Sequence, residues 1–248
     1  MTAISRLLSV MALALSAVPV FAQTCPCPPT LTPGWHGSAG AGAALTSGNT
    51  DTQSYNLALT LTYDPKKDHV VKIDGLYLKS RAEGADTAAK SAAGARGERK
   101  LGRAFLFAEG RYERDRFKAL AYLLSPTAGL GYKIADSPRL AISVDAGAGF
   151  AIEKLTAQES TSSGAVRGGE SMTWQVSDTT RLMQSARALW KTSDLADAFY
   201  HLEGGIASSI SQRLELKLGL LVDVKNRPAS PTLEKTDTAL LASLVFKL

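Results

Sequence analysis

The chain ends in Thr236-Asp237-Thr238-Ala239-Leu240-Leu241-Ala242-Ser243-Leu244-Val245-Phe246-Lys247-Leu248. Taken every second residue, one face of this stretch is Thr236, Thr238, Leu240, Ala242, Leu244, Phe246 and Leu248. The other is Asp237, Ala239, Leu241, Ser243, Val245 and Lys247. A period of two marks a β-strand, here with an apolar side and a mixed side. Left uncovered in water, an apolar strand at the end of a chain is an aggregation hazard. In a lipid bilayer it closes a barrel, with the first strand of the chain as its neighbour.

The rest of the sequence fits that expectation. From Trp35 on, about twelve segments share the two-residue period, and helix signals are nearly absent. Ser54 to Tyr63 sets Tyr55, Leu57, Leu59 and Leu61 against Ser54, Asn56, Ala58 and Thr60. Arg213 to Val224 sets Leu214, Leu216, Leu218, Leu220 and Val222 against Glu215, Lys217 and Asp223. The fourth segment, Ser91 to Leu101, is the weakest, because glycine, alanine and charge replace the apolar alternation. The segments run roughly ten to fifteen residues, enough for a tilted strand to cross a bilayer. That is about twice the usual strand of a soluble sandwich. Trp35, Tyr63, Tyr77, Tyr112, Tyr132, Trp190 and Tyr200 fall near segment ends, as an aromatic girdle requires. Connections read as short on one side (Asp64 to Asp68, Ser177 to Thr180) and longer on the other (Arg81 to Lys90, Leu155 to Val166, Thr192 to Ala198, Lys225 to Lys235). The expected fold is a single all-β antiparallel transmembrane barrel of about twelve strands in a bacterial outer membrane, with both termini periplasmic. The competing fold is a soluble periplasmic β-sandwich serving as a binding protein.

The segment before the barrel divides in two. Leu7 to Val20 is apolar, follows Arg6, and leads to small residues ending at Ala22, so Met1 to Ala22 reads as a secretory signal. Gln23 to Gly34, rich in proline and threonine, reads as a periplasmic tail, and Trp35 to Leu248 as the barrel. Losing Arg6 with the signal takes the formal charge from +5 to +4. The basic residues are scattered singly, which excludes a nucleic-acid footprint. Cys25 and Cys27, one residue apart, neither staple a fold nor supply enough ligands for a metal.

In a barrel, the charged faces must turn to the lumen or pair. The candidate lumen-lining residues are Lys72, Asp74, Glu109, Arg111, Glu113, Asp145, Glu153, Arg181, Arg187, His201, Glu203, Glu215, Lys217, Asp223 and Asp237. Both signs are present, which predicts no strong ion selectivity. The set is compatible with a plugged structural barrel or with a narrow pore, since twelve strands fall between the filled eight-stranded barrel and the open porin. A barrel hydrolase would need a nucleophile beside a histidine with an orienting partner. His201 and Glu203 share the inner face, but Ser209 lies too far along the strand, and no Gly-x-Ser-x-Gly occurs. No catalytic residue, cofactor or metal is therefore expected. The expected partners are outer-membrane lipid, the barrel assembly machinery and small solutes.

Trp35-x-Gly37, the turn Thr46-Ser47-Gly48-Asn49-Thr50-Asp51-Thr52, Gly129-Leu130-Gly131-Tyr132, and Asp237 with Phe246 resemble the YdiY-like salt-induced outer-membrane proteins. The resemblance runs from about Trp35 to Leu248, and its most specific piece is the Ser-Gly-Asn-Thr turn, itself a turn signal on physical grounds. It implies an outer-membrane barrel and supplies no established activity or catalytic residues; the expected role is structural or stress-related, or that of a narrow non-specific pore for small solutes. Leu248 differs from the aromatic residue at which such barrels commonly end.

Overall fold

The computed structural model describes residues 34–46, 52–82, 85–116, 118–156, 158–228, 230 and 233–248. The signal reading, Cys25, Cys27, the turn at 47–51 and all of the tail reading but Gly34 lie outside the described residues; Gly34, read as the end of the tail, instead opens β1. Twelve strands follow one another: β1 Gly34–Thr46, β2 Thr52–Asp64, β3 His69–Ala82, β4 Ala85–Leu101, β5 Ala104–Asp115 and β6 Leu120–Asp136, then β7 Leu140–Leu155, β8 Thr161–Gln175, β9 Thr180–Lys191, β10 Asp194–Ser209, β11 Leu214–Lys225 and β12 Thr236–Lys247. Each pairs antiparallel with its sequence neighbours, and β12 returns to β1, giving one closed barrel. A sandwich of two stacked sheets is thereby overturned: a single sheet closes on itself and leaves no second layer.

The closing seam is short. β1 and β12 share four register pairs, Ser38 with Lys247, Ala39 with Phe246, Gly40 with Val245 and Ala41 with Leu244. The Leu248 amide adds a bond to the Gly37 carbonyl at 2.9 Å. By contrast, β1 is paired with β2 along its whole length, from Gly34 opposite Asp64 to Thr46 opposite Thr52.

Alternation sorts the side chains. Leu57, Leu59, Leu130, Phe150, Leu202, Ile206, Leu216, Leu218, Leu220, Leu244 and Phe246 are exposed on the outer wall. An apolar belt with no covering layer is what lipid demands of a barrel. Aromatic pairs mark both rims. Trp35 and Tyr63 pack with ring centroids 5.2 Å apart and planes tilted by 42°, near the end that carries Gly34 and Leu248, here called the terminal end. Near the opposite, far end, the Trp190 indole donates to the Tyr200 hydroxyl at 3.2 Å. Glu170 breaks the belt: it is exposed, and its cross-strand partners Val144 and Ala186 are both outward.

The ladders run further than the apolar pattern. β4 starts at Ala85, β8 at Thr161 and β10 at Asp194, so the expected long connections at Arg81 to Lys90, Leu155 to Val166 and Thr192 to Ala198 shrink. Beyond the apolar belt, backbone pairing no longer needs apolar side chains, and polar residues continue the strands. The contrast in loop length between the two ends then rests mainly on 226–235. Within β6, Pro126 has no amide to give, and the β6–β7 ladder skips from Leu124–Ile152 to Thr127–Gly149.

Candidate functional site

Inward-facing positions build the lumen, and many of them are charged. Three ion networks cross it. The first centres on Arg96 of β4, which reaches Glu98 at 2.7 Å, Glu109 at 3.0 Å and Asp145 at 3.0 Å. Arg167 of β8 pairs with the same Asp145 and with Glu109 at 3.3 Å. Both guanidiniums lie over the Phe107 ring, 4.0 Å and 4.9 Å from its centroid. The flat cation gains there from the face of the ring as well as from the carboxylates.

The second network joins Arg111 to Glu113 at 2.7 Å and to Asp74 at 3.0 Å. Gly94 makes room for it: a Cβ there would stand 2.6 Å from Asp74 Oδ1 and 3.1 Å from Arg111 Nη1. The third network fills the far half. Glu153 accepts from Lys191 and Lys225, both at 2.5 Å, and Asp197 accepts from Lys191 at 2.6 Å. The Lys225 ammonium sits 3.9 Å from the Phe199 ring centroid. Asp223 takes Lys90 and the His201 Nδ1 at 2.8 Å, and Lys118 reaches the Asp223 carbonyl at 3.1 Å and Asp237 at 3.2 Å. Leu120, Leu123, Ala151, Ala165 and Leu189 pack as a buried cluster in the same half. Lys225 is only 1% exposed, so this ion is taken out of water and held by its partners.

What remains open is unequal. A cavity of about 520 Å³ occupies the half nearer the termini, and one of about 60 Å³ the far half. The second has room for only a few waters. Glu109, Arg111, Arg167, Arg187 and His201 line both and form the boundary between them.

The candidate residues are placed as follows. Lys72, Asp74, Glu109, Arg111, Asp145, Arg181, Arg187, His201, Glu203, Glu215 and Lys217 line the larger cavity. Glu113 and Asp223 line the smaller one. Glu153 is buried within the third network, and Asp237 pairs with Lys118 near the far end. Glu203 and Lys217 bond to one another at 2.8 Å, and Arg181 reaches Glu215 at 2.6 Å. His201 has an orienting carboxylate in Asp223, and among the described residues no serine or threonine hydroxyl is bonded to it.

Sequence reasoning missed Lys90, Arg96, Glu98, Lys118, Arg167, Lys191, Asp197 and Lys225, all of them in ion pairs. Lys191 was within reach, since it shares parity with Arg187 on one strand. Arg96 and Glu98 stand in β4, whose outward positions include Ala93, Ala95 and Gly97, so no apolar stripe fixes which face is which.

A family model described as a protein of unknown function, DUF481, matches residues 39–248. No curated protein matches the chain. Among solved structures, it is similar to an outer membrane channel from Pseudomonas putida F1, with 12% identity over 92% of this chain and 100% of that one, at a TM-score of 0.52. That likeness is one of fold. The chain is also similar to the NanC porin, with 8% identity over 86% of this chain and 96% of that one, at 0.48. The translocator domain of the autotransporter NalP from Neisseria meningitidis matches with 10% identity over 89% and 90%, at 0.48.

Proposed function

The chain belongs to this DUF481 family of unknown function, and we propose that it is a bacterial outer-membrane barrel offering a narrow, non-catalytic passage to small solutes. One observation carries the reading: two interior cavities meet at a polar boundary inside a closed barrel, and the far one is nearly filled by ion pairs. A cavity of about 520 Å³ is of the size that holds small ligands. The small far cavity supports a passage that is narrow. The resemblance to YdiY-like salt-induced proteins supports a role in the response to salt, with outer-membrane lipid and the barrel assembly machinery as the partners the fold needs. Liposome swelling tests the passage. Vesicles carrying folded protein are expected to swell slowly in glycine and not in raffinose. Swelling equal to that of protein-free vesicles in both would overturn the reading.

A further inference from the structure

The five residues at the boundary between the two cavities are not used alike. Arg111 is taken by Asp74 and Glu113, Arg167 by Glu109 and Asp145, and the His201 Nδ1 by Asp223. Arg187 has no ion pair among the described residues, and its Nε is buried without a hydrogen-bond partner. Its surroundings include a second cation, Arg111, and the carboxylates Glu109, Glu113 and Asp74, which act on it only at longer range. Buried polar groups in folded proteins are nearly always bonded, so a guanidinium that lines both cavities, with its Nε unbonded and no ion pair among the described residues, has donors free for a ligand.

We infer that Arg187 is the seat of an anion site, holding a small oxyanion (a carboxylate or a phosphate group) where the two cavities meet. The inference rests on the reading of the lumen as a passage for small solutes and names their class. A guanidinium presents donors in a planar fork that matches two oxygens of one carboxylate or phosphate. Arg187 stands opposite His201 on β10 and opposite Gly169 on β8, where the Asp145 carboxylate and the Arg167 guanidinium lie over the glycine. It lines both cavities, so a solute in the larger one reaches it. The lumen as a whole stays mixed in sign. The preference arises at this one ring, where four of the five side chains are arginine or histidine and the unused one is an arginine.

Equilibrium dialysis of the detergent-solubilised, folded full-length protein tests the site without requiring conduction. The probes are radiolabelled inorganic phosphate and, in a parallel arm, labelled acetate, at constant ionic strength. Saturable binding of one ion per chain is expected in at least one arm, and the tighter arm names the source. Arg187→Gln should weaken it by about tenfold or more, the loss of a charge-assisted contact. Lys72→Gln, which removes another cation from the same cavity, should leave it unchanged. Should Arg187→Gln not fold, Arg187→Lys carries the test, since it keeps the charge and loses the fork, and it too should bind more weakly. No saturable binding in either arm, or equal weakening by Lys72→Gln, would overturn the site. Binding with no solute flux would instead sink the passage and spare the site.

Discussion

Lys225 and Glu153 are joined across the inside of the barrel. The Lys225 ammonium lies 2.5 Å from a Glu153 oxygen, although β8, β9 and β10 separate their strands in the sheet. The bond is a chord through the lumen. Lys90 to Asp223 and Arg96 to Asp145 are chords of the same kind. Such bonds do two things at once: they brace the walls, and they occupy the space through which a solute would move.

Glu153→Ala should therefore separate bracing from blocking. Lys191 and Lys225 would keep only Asp197, and breaking a buried pair of this kind costs about 3–5 kcal/mol. The folded barrel should unfold at lower urea concentration, read from its gel mobility without boiling. In bilayers the same variant should pass more current than the unaltered protein. Lower stability with unchanged current would show that the third network is a brace and not a gate.

The two faces of β11 give an independent check. Leu218 is 46% exposed on the outer wall, while its neighbour Lys217 bonds to Glu203 inside. Leu218→Arg puts a charge in lipid, at about 2–4 kcal/mol near the midplane. Its folded yield in the outer-membrane fraction should fall steeply, whereas Lys217→Leu should change it little. Equal yields from both would contradict the assignment of faces.

How far these features were legible in the sequence depends on what lipid selects. β2, β11 and β12 were plain because their outward positions are mostly large and apolar or aromatic: Leu57, Leu59 and Tyr55 on β2, Leu216, Leu218 and Leu220 on β11, and Leu240, Leu244 and Phe246 on β12. β4 was not, because lipid tolerates Ala93, Ala95 and Gly97 as well as leucine, and small residues carry no period. The strand ends beyond the belt were also hidden: Asp194, Thr161 and Ala85 are held by cross-strand backbone bonds that any side chain permits. Parity alone puts the charged residues inside. Which charge meets which depends on chords such as Arg96 to Asp145, set by the closure of the barrel and not by spacing along the chain. Arg187 shows the same limit. Its place on the inner face follows from alternation, but its lack of an ion pair among the described residues follows from where Arg111 and Arg167 found theirs.

Closure itself can be tested at the C-terminus. Deleting residues 244–248 removes every register pair between β1 and β12. Unpaired backbone groups in hydrocarbon cost several kcal/mol each, so the open sheet should not persist in the membrane. Fractionation should find the truncated chain unfolded in the periplasm. Soluble, folded protein at normal yield would contradict a membrane barrel, because frayed ends are tolerated in soluble domains.

The central claim, a narrow passage through a closed barrel, is tested most directly by single-channel current from the purified, folded protein in planar lipid bilayers. Discrete steps are expected, small for twelve strands because the far half of the lumen is filled, and larger in Glu153→Ala. Folded protein that inserts and gives no steps, with Glu153→Ala equally silent, would contradict the passage and leave the barrel a structural element of the membrane.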